Sequence, residues 1–186
     1  MPFLMKLSRR IDRLSEGVGW ITLGLMLVMV AVGAYNAISR YLGQFIGINL
    51  SSNLYIEVQW YLFSLIFLLG AAYVLKRGEH VRVDVLYGRL SRRRKAWVDF
   101  FGALLLLLPL CGVIVVYSFP SVLNSWKIKE TSSDPGGLAR YPLKAMLLVA
   151  FVLLGLQGIS EAIKQFAIIS GYDRSSDQGP EEVRHG

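Results

Sequence analysis

Hydrophobic and polar positions along this chain separate on the scale of whole segments. Residues 17–39 carry no charge, 54–75 carry only Glu57 near their start, and 100–126 and 145–160 carry none. With its flanks, each run approaches or exceeds the roughly 20 residues that a helix needs to cross about 30 Å of hydrocarbon. A backbone in lipid must satisfy its own hydrogen bonds, so each isolated run is predicted to be a helix. The expected fold is an all-α membrane protein with four transmembrane helices at about 17–39, 54–75, 98–119 and 142–165. Together they form a transmembrane domain over 17–166.

Shorter patterns flank these runs. In the N-terminal segment 1–16, Phe3, Leu4, Leu7, Ile11 and Leu14 share one helical face, while Lys6, Arg9, Arg10 and Arg13 fall largely on the other. That predicts a short amphipathic helix lying on the cytoplasmic membrane surface. Between the second and third spans, Val81, Val83 and Val85 alternate with Arg82 and Asp84. Leu86, Leu90 and Trp97 then recur at helical spacing among basic residues. The expectation is a brief extended piece leading into a basic interfacial helix. Pro109 predicts a bend in the third span, and Pro135-Gly136-Gly137 a turn. Pro142 suits the first turn of the fourth span. The polar tail 167–186 is expected to be disordered.

Composition adds little room for anything else. With 186 residues, 54% of them hydrophobic, and a mean hydropathy of +0.47, one bundle is accommodated and no second core. A net charge of +7 and a pI near 9.7 would suit a nucleic-acid partner if the charges did not segregate. Of the 20 Lys and Arg residues, only Arg40, Lys127, Lys129, Arg140 and Lys144 fall on one side of the predicted spans. The bias places both termini and the middle loop in the cytoplasm. The basicity is therefore a topology signal, with membrane lipid rather than nucleic acid as its partner. The apolar run from residue 17 is longer than the roughly 7–15 residues of a signal core, so it reads as a retained span.

Candidate chemistry is sparse. Glu57 lies close to the outer end of its span, where Arg40 ends the preceding one, so an Arg40–Glu57 pair is expected. Gln157 and Glu161 are four apart on one helical face, with Lys164 three further on, which suggests a local pair. Ser64 is expected to hydrogen-bond between helices. Gly33 with Ala37, the 70–72 cluster, and Gly155 with Gly158 suit close helix packing. Cys111, the single cysteine, falls inside the third span. The two histidines, His80 and His185, lie outside the spans, so paired ligation of a haem within the membrane is excluded. No metal-ligand cluster, phosphate-cradling loop or nucleophile–base motif occurs. The reading is of a protein that is not an enzyme, with no cofactor and no metal site.

One stretch is more specific. Gly70-Ala71-Ala72-Tyr73-Val74-Leu75-Lys76-Arg77-Gly78-Glu79-His80-Val81-Arg82-Val83-Asp84 resembles the signature of the small membrane subunit of tripartite ATP-independent periplasmic (TRAP) transporters. The likeness continues through Asn36, Ser39, Arg40 and Tyr41, through Glu57, and through Ser125-Trp126-Lys127-Ile128-Lys129-Glu130-Thr131-Ser132. It reaches Pro142, Lys144 and Gln157-Gly158-Ile159-Ser160-Glu161 in the fourth span. The resemblance implies a bacterial inner-membrane protein that supports a large permease subunit, to which a periplasmic binding protein delivers an organic acid. An ion gradient, usually sodium, drives transport. No catalytic residue transfers. Arg40, Glu57, Glu79, His80, Arg82, Asp84, Glu130 and Glu161 become candidate structural or subunit-interface residues, with Glu79 and Asp84 expected to pair with Arg82 or with the partner. Two other readings stay open from the residues alone: a small autonomous transporter coupled to protons through Glu57, and a membrane assembly or anchoring protein.

Overall fold

A computed structural model describes residues 2–47, 52–79, 90–134 and 136–171. The tail beyond 171, Pro135 and the run 80–89 lie outside the described residues, and with them the expected valine alternation, His80, Arg82 and Asp84. What is described is almost wholly helical. Helix α1 spans Pro2–Ile46, α2 Asn53–Arg77, α3 Arg92–Phe101, α4 Leu108–Lys127 and α5 Tyr141–Ile169. A π-helical turn, Gly102–Leu107, joins α3 to α4, so the two form one rod over Arg92–Lys127. Four helices are thus long and apolar enough to cross a membrane.

Two elements differ from the sequence reading. The N-terminal segment is not a separate surface helix. It is the first third of α1, a 45-residue helix about 67 Å long, more than twice the hydrocarbon thickness. No Pro interrupts the helix after position 2, and Gly17 stays helical, so nothing in the local sequence ends it. Its buried positions are Ser8, Ile11, Ser15, Gly19, Thr22, Ser39 and Gly43, whereas Phe3, Leu4, Leu7 and Leu14 remain exposed. The helix therefore packs through a narrow stripe of mostly small residues and turns most of its larger apolar ones outward, which suits a lipid surround.

At Pro109 the helix carries on through a widened ladder directly before it. The Leu108 N–H donates to the Ala103 carbonyl, five residues back. Proline lacks an N–H and its ring crowds the carbonyl four residues earlier. The π turn absorbs that mismatch without ending the rod.

Helix α5 is the hub. It packs against α1, α2, α3, the π turn and α4, while the rod makes no substantial contact with α1 or α2 among the described residues. Its most apolar window is 28% buried, against 6–11% for the other three spans, so most of what is dry in the bundle surrounds α5. The sequence allows this because α5 presents small residues: Ala150, Gly158, Ser160, Ala162 and Ala167 are all buried. Gly155 faces Cys111 and Gly158 faces Leu107. On the other side, Gly19 of α1 lies under the Tyr73 ring and Gly33 under the Gln59 amide. Ser64 bonds the Trp60 carbonyl of its own helix at 2.8 Å, so it does not bridge helices.

Helix α2 stops at Gly78, whose φ of 68° only glycine adopts without penalty. The Gly78 N–H donates to the Leu75 carbonyl and the Glu79 N–H to the Val74 carbonyl, the paired bonds of a Schellman motif.

Candidate functional site

The ionisable groups of the described chain gather at the two ends of the bundle. At the basic end, α1 and α5 share a dry polar cluster. The Ser8 and Ser160 hydroxyls are 2.8 Å apart, and Ser15 Oγ donates to Gln157 Oε1 at 2.7 Å. Gln157 Nε2 donates to Asp12 Oδ1 at 3.0 Å and to Glu161 Oε1 at 3.2 Å. Ser160 Oγ also lies 2.8 Å from Asp12 Oδ1. Lys164 Nζ closes the cluster, 2.8 Å from Asp12 and 2.7 Å from Glu161. Gln157 and Ser160 are 0% exposed, and Ser8 and Ser15 are 1%. Every buried side-chain nitrogen and oxygen among the described residues has a partner, as the expense of burying such groups unpaired requires. Nearby, Glu16 pairs with Lys76 of α2, with Arg77 3.7 Å away.

The Glu161–Lys164 pair is present as expected, but it is one edge of this larger cluster. Asp12, Ser8 and Ser15 escaped the sequence reading because they lie among arginines. Their spacing, 8, 12 and 15, is the signal that marks them as one helical face.

At the opposite end, Glu57 is 8% exposed and accepts a 2.6 Å hydrogen bond from the Leu138 N–H. The ion pairs among the described residues do not join it to Arg40, which is exposed. A backbone donor from the loop between α4 and α5 has taken that place, with the Ser132 side chain beside it. The loop is a small hairpin. Thr131 and Ala139 form an antiparallel bridge, Ser132 N–H donates to Leu138 O at 2.9 Å and Arg140 N–H to Glu130 O at 2.8 Å. Tyr61 of α2 donates to the Ala139 carbonyl. Glu130 accepts from Ser125 of α4 at 2.7 Å and pairs with Lys144 of α5. The Lys144 ammonium, with Ser125, holds the Glu130 carboxyl below its ordinary range. Glu57 and Glu130 thus act as clamps that fasten one loop to three helices.

Between the two ends the helices carry no charge. A side groove of about 900 Å³ between α1 and α2, lined by Met29, Gly33, Trp60 and Phe63 among others, is predominantly apolar. Its polar members are Gln59 and Ser64, and the Ser64 hydroxyl is already spent on its own helix. That lining lacks the convergent polar groups of a substrate site. No cluster of three or more metal-binding side chains occurs among the described residues. Glu79 is exposed just beyond α2.

An apolar bundle fastened by polar clusters at both ends, with large side chains such as Trp60 (73% exposed) facing outward, defines an integral membrane protein built to be embedded. Residues 29–167 match the family described as tripartite ATP-independent periplasmic transporters, DctQ component, and the chain belongs to that family, the small membrane component of TRAP transporters. Such a component is part of a transporter and not an enzyme. No curated protein and no solved structure matches the chain.

Proposed function

We propose that the chain is the accessory membrane subunit of an ion-gradient-driven TRAP transporter for organic acids, seated in a bacterial inner membrane with both termini cytoplasmic. Its role is to brace the large permease subunit while a periplasmic binding protein delivers substrate. The observation that carries this reading is the charge-free middle of all four spans between clamped ends. Carriers commonly hold substrate near the midplane with broken helices or ionisable groups, whereas here the ionisable groups are used to fasten helices together. The bundle's outward apolar surface suits lipid and a large helical partner. Arg40, exposed at one end, Glu79, exposed at the other, and the residues that follow it to Asp84 are proposed contacts with that partner.

The test is reconstitution. Proteoliposomes holding this chain with the large subunit and the binding protein should take up an organic acid on a sodium gradient, and omitting this chain should abolish uptake. Substrate-driven proton flux from this chain alone, or full uptake without it, would sink the proposal.

A further inference from the structure

We propose that the face of the α3–α4 rod turned away from α5 holds an anionic phospholipid of the cytoplasmic leaflet, with its phosphodiester on Arg93 and Arg94 and an acyl chain along Trp97, Val98, Phe101 and Leu105. This rests on the proposed orientation, in which the rod starts at the cytoplasmic side.

The first observation is a surface with no helix against it. Among the described residues the rod packs substantially only on α5, and it buries Ala96 and Ala103. Trp97, Val98, Phe101 and Leu105 are 41–61% exposed. Counted at about 100° per residue, Val98 and Phe101 stand within about 40° of Arg94, and Trp97 within about 60°. A cation and an apolar strip therefore share one side of the rod, and Leu105 carries the strip one turn deeper.

The second observation is electrostatic. Arg92, Arg93 and Arg94 are exposed and enter none of the ion pairs among the described residues. Lys95 and Asp99, the other charged residues of α3, each have an interaction within the structure. Membrane topology asks for positive charge on this side, but not for three arginines in one helical turn. There the backbone N–H groups are already positive, and no acidic residue balances them. A phosphodiester would relieve that repulsion, and its oxygens match the forked donors of a guanidinium.

The third observation is depth. Arg94 precedes the predicted span at residue 98 by about 6 Å. That is within the headgroup layers that take a bilayer from about 30 Å of hydrocarbon to about 40–45 Å in all. At the boundary Trp97 stacks on Phe101, with centroids 5.3 Å apart. Phe100 meets Trp97 edge-on and packs on Phe166 of α5, so the indole is braced. A tryptophan at this level is an interface anchor. Cation, indole and apolar strip thus follow one another along the face in the order of a lipid's phosphate, glycerol esters and acyl chain. Side chains 92, 93 and 94 also fan over about 200°. A shell of mobile headgroups can pair with all of them, whereas one face of a protein partner cannot.

The test uses the full chain in vesicles of phosphatidylcholine and phosphatidylglycerol, with one lipid or the other brominated in its acyl chains, and reads quenching of tryptophan fluorescence. The Trp97 signal is the difference between wild type and Trp97→Phe. It should report phosphatidylglycerol about fivefold above its share of the bilayer, the preference that one basic residue at a membrane surface supplies. Arg93→Gln with Arg94→Gln should bring that enrichment to about one, and Arg93→Lys with Arg94→Lys should keep it above about twofold. Enrichment near one in the wild type, or enrichment untouched by the double Gln variant, overturns the inference. So does displacement by inorganic phosphate beyond that by chloride at equal ionic strength, which would assign the arginines to a soluble anion. Loss of the Trp97 quenching when the large subunit is co-reconstituted would give this face to that partner and equally overturn the lipid site. Ser91→Cys labelled from the periplasm would fault the orientation, whereas the quenching outcomes judge the lipid site alone.

Discussion

Lys164 holds together two carboxylates that would otherwise face each other across a dry helix interface. Its side chain is 12% exposed, and Asp12 and Glu161 are each 20%. Removing one partner from such a buried set costs about 3–5 kcal/mol, because the remaining charge is stranded. Lys164→Met should lower stability by about that amount in a detergent unfolding titration, while Ser8→Ala, which removes one neutral bond, should cost about 1 kcal/mol. Neutralising the whole set in Asp12→Asn/Glu161→Gln/Lys164→Met should recover most of the loss. A Lys164→Met loss under about 1 kcal/mol would mean that water already screens the cluster. Part of this cluster was legible in the sequence: Gln157, Glu161 and Lys164 share a face by simple spacing. Asp12 was not, because a single acid among four basic residues reads as surface until its partner helix is placed. Glu57 shows a different limit. Its partner is a backbone N–H of Leu138, and a main-chain donor leaves no trace in residue type, so the sequence offered only Arg40.

At the scale of elements, small residues decide how closely helices approach, and their neighbours decide how much each one matters. A Cβ added at Gly19 would overlap the Tyr73 ring near its attachment point, whereas at Gly33 it meets the far end of the Gln59 side chain. A ring held near its base cannot move without the helix, but a long amide can swing aside. Gly19→Ala should therefore cost about 1–3 kcal/mol, and Gly33→Ala should stay within about 1 kcal/mol, helped by the better helix former. Equal losses in a thermal unfolding comparison would refute this account of the α1–α2 interface. The spans themselves were legible because lipid leaves an isolated segment little alternative to the helix. The continuity of α1 past Gly17 was not, since a change in polarity marks where the surroundings change and need not mark where a helix ends. Pro109 likewise announced a disturbance without announcing its form, because the sequence names the missing N–H but not the ladder shift that absorbs it.

For the whole molecule, the charge bias predicts an orientation. With Cys111 replaced by Ala, single cysteines at Ser91 and Ser133 should label from opposite sides of the membrane, the first from the cytoplasm. Labelling of both from the periplasm would overturn the orientation. Within the bundle, the rod touches no helix substantially but α5, the last helix among the described residues, while the loop between α4 and α5 adds a tie to α2. That order bears on how the protein is made. As the polypeptide leaves the ribosome, α1 and α2 can pair at once, but the rod enters the bilayer with no helix to rest against until residues 141–169 have been synthesised. A nascent chain cut short before that point would carry an orphaned span and no closed polar cluster, an open target for quality-control proteases. Helix α5, made after the other three spans, is the one that makes them worth keeping.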